Sequence, residues 1–149
     1  MAKKKILLIN PLNQNYVKRL FPPLSLTTIA AYIPRTYDVE ILDENLEKIH
    51  YNADLIALTV NTYTAKRSYE IARKCHELHI PVILGGIHPT ILPNEAKDYA
   101  NCVVIGESEK IWIKLLKDYE NGSLKKFYKA HLYDFKREKV KIPRRDLLN

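Results

Sequence analysis

Short apolar runs alternate with amphipathic segments along most of this chain. Five runs are predicted to be β-strands because they are rich in Ile, Leu and Val and are bounded by polar or turn-forming residues. The predicted strands are Lys5–Asn10, Asp38–Leu42, Asp54–Val60, residues 82–84 and residues 103–105. The alternation within the second run is typical of an edge strand, whereas the last two runs are typical of strands buried on both faces.

Helical periodicity separates the predicted strands. The helices are expected at about residues 24–33, at Ala65–Leu78, after Pro93 and over Ile111–Tyr119. The second of these is the clearest, because its apolar residues recur at helical spacing and charged residues occupy the opposite face. Pro34 is expected to end the first helix. Strands and helices therefore alternate regularly from the first strand onwards.

Regular alternation of strands and helices implies right-handed crossovers and a parallel sheet covered on both faces. We predict an α/β fold, a flavodoxin-like or Rossmann-like three-layer sandwich whose five parallel strands have the order 2-1-3-4-5. Gly85-Gly86 and Gly106-Glu107 follow the last two strands and are expected at the carboxyl edge of the sheet, where such folds hold ligands. Turning the chain is the alternative role for these glycines. The long loop Asn10–Phe21 is expected at the same edge.

Composition places the chain among ordinary soluble domains. It has 149 residues, of which 46% are apolar and 28% are charged, and this suits one domain with a real core. No apolar run approaches the roughly 18 residues that span a bilayer, and no signal peptide is evident. The two cysteines, Cys75 and Cys102, match no metal or redox spacing. We therefore expect a cytoplasmic protein.

The positive charge is concentrated at the carboxyl end. The net charge is +7, and residues 123–149 contain nine Lys and Arg against three Asp and Glu, which gives +6 and leaves +1 for residues 1–122. We predict a domain at 1–122 and a basic tail or linker at 123–149. Nucleic-acid binding would require the charge on a folded face with stacking aromatics. The aromatic residues within the tail keep that role only as a weaker alternative to a linker or docking segment.

Three familiar ligand sites do not fit the expected crevice. The first strand ends in Asn10-Pro11, where a receiver domain would have clustered acids. The following loop has no Ser or Thr before Ser25, whereas flavodoxins hold the flavin phosphate with a hydroxyl-rich loop. The G-x-G-x-x-G fingerprint of dinucleotide-binding folds is absent. A broad, flat ligand at the carboxyl edge fits better.

An ordered set of motifs resembles the cobalamin-binding domain at the amino terminus of many radical S-adenosylmethionine (SAM) enzymes. The resemblance covers residues 1 to about 122. The motifs are PPLSL at 22–26, YDVEILDEN at 37–45, DLIALTVNTYT at 54–64, GGIHPT at 85–90 and VVIGESE at 103–109.

The resemblance implies a set of cofactor-binding residues and no catalytic or metal-ligating residue. The expected contacts are Asn10, Pro11, Leu12, Thr59, Asn61, Thr62, Thr64, Gly85, Gly86, Ile87, His88, Gly106 and Glu107. The hydroxyl and amide groups would contact corrin amides or the nucleotide tail, and the paired glycines would admit the tail. A leucine at position 86 is expected to close this passage and leave the fold intact. Helix capping is the alternative for Thr62 and Thr64, a favourable helix-dipole position for Glu107, and a backbone-bonded turn for His88.

Two absences refine the resemblance. The loop after the first strand lacks the D-x-H-x-x-G motif whose histidine binds cobalt from below in other cobalamin proteins, so no histidine ligand is expected there. The chain also lacks the C-x-x-x-C-x-x-C motif that holds a 4Fe-4S cluster in radical SAM enzymes.

The resemblance therefore implies a cobalamin-carrying module of a radical SAM methyltransferase or cyclase, with metal binding only through cobalt. The cluster and SAM are expected in a catalytic barrel domain carboxyl-terminal to this segment, because KIPRRDLLN at 141–149 resembles the linker before such a barrel. This segment alone is not expected to be catalytic, and its substrate is unknown. The alternative is a cofactor-free α/β interaction or substrate-recognition domain of such an enzyme.

Overall fold

A computed structural model describes residues 2–13, 22–130 and 140–148. The described residues form a six-stranded sheet in which every neighbouring pair of strands is parallel, with the order β2-β1-β3-β4-β5-β6. The strands are β1 (Lys5–Asn10), β2 (Asp38–Asp43), β3 (Leu55–Thr59), β4 (Val82–Gly85), β5 (Cys102–Ile105) and β6 (Phe127–Lys129). The helices are α1 (Leu24–Tyr32), α2 (Ala65–Glu77), α3 (Ile87–Ile91), α4 (Pro93–Ala96) and α5 (Trp112–Glu120). Short 3₁₀ turns lie at Thr62–Thr64 and Arg145–Leu147.

The central strand β1 shows how helices cover both faces of the sheet. Successive side chains of a strand point to opposite faces, and Ile6 and Leu8 pack with α1 and α5, whereas Leu7 and Ile9 pack with α2. All four side chains are fully buried. The predicted flavodoxin-like α/β fold and the order of its first five strands are therefore confirmed.

The sixth strand is the main difference from the predicted fold. β6 pairs with β5 in parallel, and its central residue Tyr128 is buried while Phe127 and Lys129 are exposed. Three residues within a basic, aromatic segment are too short a pattern to indicate a strand from the sequence. The sheet therefore continues into the segment at 123–149 that the sequence assigned to a tail.

Residues 140–148 also contact the folded domain. The backbone N–H of Arg144 donates to the Thr27 carbonyl at 2.9 Å, and that of Lys141 donates to the Tyr32 hydroxyl at 3.2 Å. Leu147 and Leu148 pack against the core beside α1. This segment therefore lies on the α1 face, whereas the middle of the basic tail at 131–139 lies outside the described residues.

Two further expectations concern the loop after β1 and membrane-spanning helices. Most of the long loop after β1, residues 14–21, lies outside the described residues. Within the described ranges, no helix has both the length and the apolar character needed to cross a bilayer.

We predict that replacing Tyr128 with Phe lowers the free energy of unfolding by about 1 kcal/mol, because a buried side chain loses its hydrogen bonds. The Tyr128 hydroxyl donates to Asp118 at 2.6 Å and accepts from the Lys125 N–H at 3.2 Å. Urea denaturation measures the change. Tyr63→Phe is the control, because the Tyr63 side chain is 71% exposed. Equal stability of the two variants would contradict the prediction.

The same substitution should alter the stability at alkaline pH. Burial, followed by the hydrogen bond to Asp118, raises the pKa of Tyr128 from 10.0 to about 12. The neutral phenol therefore stabilises the folded state below pH 10, and this contribution is lost as the pH rises through about 12. We expect a shallower decline in the unfolding free energy of Tyr128→Phe than of the wild type across this range. Parallel declines would show that Tyr128 does not contribute.

Candidate functional site

A cavity of about 200 Å³ lies at the carboxyl edge of the sheet, between the sheet and helices α1 and α5. We call it the edge cavity. Its apolar lining comprises Leu8, Leu26, Ile29, Ala57, Leu58, Ile83, Val104 and Trp112. Its polar and glycine lining comprises Ser25, Thr28, Thr59, Gly85, Gly86, Gly106, Glu107, Ser108 and Glu109.

Small residues at strand ends create this cavity. Thr59 and Gly85 are paired across β3 and β4, two positions after the paired residues Ala57 and Ile83. Residues two apart on a strand share a face, so all four positions face α1 and α5. The absence of a side chain at Gly85 and at Gly106, just beyond β5, leaves a space between the sheet and the helices.

The backbone of Gly86 lies against that of Val60. The φ angle of Gly86 is +106°, and a Cβ atom there would lie 2.8 Å from the Val60 carbonyl oxygen and 2.9 Å from its nitrogen. The Val60 oxygen already accepts a hydrogen bond from the His88 N–H at 3.1 Å. The expectation that leucine at position 86 would leave the fold intact is therefore wrong, because any side chain there collides with backbone.

Gly85 differs from Gly86 in its tolerance of a side chain. A Cβ atom at Gly85 would meet only the Val104 Cβ at 3.9 Å, which is an ordinary van der Waals contact. Gly85 also lines the edge cavity. A larger residue at this position can therefore fill the cavity with the backbone kept as it is.

Thr90 joins the two glycine-containing loops. Its hydroxyl donates to the Gly86 carbonyl at 2.7 Å and accepts from the Gly106 N–H at 3.0 Å. The two loops follow different strands, so this side chain links two glycines that both line the edge cavity. Thr90 was part of a recognised motif, but the sequence indicated no such positioning role.

The structure brings together part of the predicted site. The predicted residues that line the edge cavity are Thr59, Gly85, Gly86, Gly106 and Glu107. The predicted residues that lie near the carboxyl edge but do not line it are Asn10, Pro11, Leu12, Asn61, Thr62, Thr64, Ile87 and His88. Several of the second group have structural partners.

Asn10 and Leu12 fix the start of the loop after β1. The Asn10 amide donates to Asp43 at 3.0 Å, at the end of the neighbouring strand β2. The Leu12 N–H donates to the Glu44 carboxylate at 2.7 Å. Glu44 also accepts from the Arg67 guanidinium, whose Nε lies 2.9 Å from the carboxylate. These contacts connect the ends of β1 and β2 to α2.

Thr64 completes a capping box of the 3₁₀ turn before α2, whereas its side chain makes no capping hydrogen bond to α2 itself. Its buried hydroxyl accepts a hydrogen bond from the Asn61 N–H at 3.0 Å, and its own N–H donates to the Asn61 carbonyl at 3.0 Å. Thr62 and Tyr63 are exposed on the same turn. The turn after β3 therefore uses Asn61 and Thr64 for its own conformation and presents the two residues between them.

His88 is directed towards a polar cluster on the α2 side of the sheet. Its side chain is buried, and its Nε2 lies 3.1 Å from the Glu95 carboxylate, which also accepts from the Tyr69 hydroxyl at 2.7 Å. The hydrogen bond from Tyr69, followed by that of His88, lowers the pKa of Glu95. His88 thereby anchors α3 to α2 and α4.

Sequence reasoning missed the part of the lining that comes from the strand interiors, from α1 and from the segment around the start of α5. These residues are Leu8, Ser25, Leu26, Thr28, Ile29, Ala57, Leu58, Ile83, Val104, Ser108, Glu109 and Trp112. The indole N–H of Trp112 donates to the Ser108 hydroxyl at 3.4 Å. The sequence feature that could have indicated Ser108 and Glu109 is the acidic G-E-S-E run that contains them, directly before an amphipathic helix.

The chemistry of the edge cavity suits a flat, largely apolar group. Among the described lining residues there is no lysine, arginine or histidine, and the charged ones are Glu107 and Glu109. Glu109 is notable because its buried Oε2 atom has no hydrogen-bond partner in the described part of the chain. The cavity therefore favours a neutral or cationic ligand that brings a hydrogen-bond donor, and it disfavours an anion.

The chain matches a known domain family and is similar to methyltransferases of known name. The family described as "B12 binding domain" matches residues 14–116. The bacteriochlorophyllide d C-8(2)-methyltransferase of Chlorobaculum tepidum is 35% identical over 108 residues, which are 70% of this chain and 24% of that protein. The C-12(1)-methyltransferase of the same organism is 32% identical over 137 residues, or 87% of this chain and 30% of the relative.

A third relative acts on a different class of molecule. The hopanoid C-2 methylase of Rhodopseudomonas palustris is 28% identical over 109 residues, which are 68% of this chain and 21% of that protein. The chain therefore spans between 21% and 30% of the length of these relatives. The shared feature of the three is methyl transfer, as their names state.

We predict that Gly86→Ala destabilises the protein by about 2 kcal/mol, because alanine is strained at a positive φ and its Cβ meets the Val60 backbone. Gly85→Ala, the matched control, should change the unfolding free energy by less than about 0.5 kcal/mol. Urea denaturation of both variants measures the difference. Similar losses for the two variants would contradict the close backbone contact at Gly86.

Proposed function

Because the chain belongs to the B12-binding domain family, we propose that it holds cobalamin at the carboxyl edge of its sheet, with the nucleotide tail in the edge cavity. The corrin ring would lie over the loops after β3 and β4. A separate radical SAM catalytic domain would use the bound cofactor for methyl transfer. The observation that carries this proposal is an apolar cavity that opens beside Gly85 and Gly106 at the ligand-binding edge of a parallel sheet.

The lining of the edge cavity supports an occupant like the nucleotide tail. The base of the tail is flat and mostly apolar, and it would pack against side chains such as Ile83, Val104 and Trp112. Burying apolar surface of this kind is favourable by about 25 cal/mol per Å². Since the described lining has no basic residue, the phosphate of the tail would remain at the entrance, in contact with water.

Exposed apolar residues at the carboxyl edge of the sheet support the proposed position of the corrin ring. Tyr63 follows β3 and Ile87 follows β4, and their side chains are 71% and 58% exposed. Large apolar side chains that project into solvent at a ligand-binding edge indicate a surface that a partner covers. A flat macrocycle would cover both, while Thr59 and Glu107 would hydrogen-bond with its amide groups or with the tail.

The chain's own residues would bind and orient the cofactor. The cobalt of bound cobalamin supplies a carrier for a methyl group. Thr90 would hold the entrance at a fixed width, and the carboxylates of the lining would accept hydrogen bonds. We propose that His88 does not bind cobalt, because it is buried against Glu95. None of these residues is assigned acid–base chemistry.

The cysteines support placing the iron–sulfur chemistry elsewhere. Cys75 and Cys102 are both fully buried and belong to the core on opposite faces of the sheet. Burial raises the pKa of each thiol from 9.0 to about 12, which disfavours the thiolate that a metal requires. We propose that the 4Fe-4S cluster and SAM bind a catalytic barrel domain carboxyl-terminal to this segment, in a cytoplasmic protein.

We predict that the protein retains hydroxocobalamin through a desalting column and that Gly85→Leu loses it. Leucine at position 85 is expected to fill the edge cavity. The backbone at this position tolerates a side chain, so the fold should be kept. Visible absorption measures retention, and far-ultraviolet circular dichroism checks the fold. Gly122→Asn is the control glycine substitution, because its φ of +66° suits asparagine and no atom lies within 4 Å of the added Cβ.

Two results would contradict the proposal in different ways. Equal retention by the wild type and Gly85→Leu would show that the tail does not enter the edge cavity. No retention by the wild type would favour the cofactor-free interaction or substrate-recognition domain. The comparison with Gly85→Leu is valid only if the circular dichroism spectrum of this variant matches that of the wild type.

We also predict that this segment alone does not cleave SAM. Cleavage requires an electron from a cluster with three clustered thiolates, and the two cysteines of the chain are buried apart from one another. Anaerobic incubation with iron, sulfide, dithionite and SAM should yield no more 5′-deoxyadenosine than a control without protein. Product above that control would overturn the assignment of the cluster to another domain.

A further inference from the structure

Glu109 lines the edge cavity, and one of its two carboxylate oxygens is buried. Its Oε2 atom is inaccessible to solvent and has no hydrogen-bond partner among the described residues. A buried polar atom without a partner costs free energy, by about 1–3 kcal/mol, and more when the group is charged. The simplest explanation for an unpartnered polar atom at a ligand-binding edge is that a bound ligand supplies its hydrogen-bond partner.

The donors on neighbouring elements are directed to other acceptors. The Trp112 indole N–H donates to Ser108, and the Thr28 hydroxyl donates to the Leu24 carbonyl at 2.9 Å. The Gly106 N–H donates to Thr90. The other charged residue of the lining, Glu107, is also acidic. A neutral or cationic donor on a ligand in the edge cavity would supply the partner that Glu109 lacks among the described residues.

We propose that Glu109 accepts a hydrogen bond from an O–H or N–H donor on the nucleotide tail of cobalamin. This inference rests on the proposed function and adds a specificity-determining residue to it. Two groups of the tail can donate this hydrogen bond, the ribose hydroxyls and the protonated base. The carboxylate thereby selects corrinoids that carry a nucleotide, and it keeps the phosphate of the tail away from this wall.

The test compares the affinities of the protein for hydroxocobalamin and for cobinamide, which has the corrin ring but no nucleotide. Glu109→Ala should bind hydroxocobalamin about tenfold more weakly than the wild type, as expected for one charge-assisted hydrogen bond. Its affinity for cobinamide should be unchanged. Glu77→Ala is the matched control, because Glu77 is an exposed residue at the far end of α2, paired only with Lys74 among described side chains.

Measurements at pH 5 and pH 8 distinguish the two sources of the donor. A loss of affinity at both pH values identifies a ribose hydroxyl, whereas a loss confined to pH 5 identifies the protonated base. Unchanged affinity of Glu109→Ala for hydroxocobalamin at both pH values would overturn the inference and leave the proposed function standing. No binding of hydroxocobalamin by the wild type would overturn both.

Thermal melting separates ligand recognition from a structural role. Glu109→Gln keeps the side-chain volume and removes the buried charge, so its ligand-free form should melt no lower than the wild type. A lower melting temperature of Glu109→Gln, together with weaker binding of both hydroxocobalamin and cobinamide, would show that Glu109 supports the fold and would overturn the inference.

Discussion

Gly86 passes so close to the backbone of Val60 that no side chain fits between them. This contact brings the loop after β4 over the end of β3, where the Val60 carbonyl accepts a hydrogen bond from the His88 N–H. Thr90 then bonds to both Gly86 and Gly106, so the loop after β5 is held at a fixed separation from the loop after β4. Gly86 and Gly106, which both line the edge cavity, are therefore held in place by a close backbone contact and by the Thr90 hydroxyl.

The edge cavity lies where Gly85, at the end of β4, and Gly106, just beyond β5, carry no side chain. Large aliphatic residues such as Leu8 and Ile83 fill the space under α1 and α5, whereas Thr59 and Gly85 leave it open at the carboxyl edge. The polar groups at this edge divide into two sets. Asn10 and His88 contact Asp43 and Glu95 and stabilise the loops, whereas Glu109 has a buried oxygen directed to no group of the described chain.

The sequence predicted most of the fold because its strands are short apolar runs separated by helical periodicity. β6 escaped prediction because three residues with one buried side chain, Tyr128, carry too little pattern. Thr59 and Gly85 were found because the residues after buried strands of a parallel sheet meet at one edge. Trp112 and Thr28 were missed because periodicity cannot distinguish a side chain that fills the core from one that lines a cavity within it. The contact between His88 and Glu95 depends on how α3 packs against α4, which no local pattern contains.

The central claim, that the edge cavity receives the nucleotide tail, can be tested directly by nuclear magnetic resonance. The measurement is the nuclear Overhauser effect between the methyl groups of Ile83 and Val104, labelled with ¹³C, and the protons of the dimethylbenzimidazole base in the diamagnetic Co(III) complex. Both residues line the cavity, and both are buried. The account predicts cross-peaks from the base to both methyl groups. Cobalamin that binds without such cross-peaks, with its base still attached to cobalt, would contradict it.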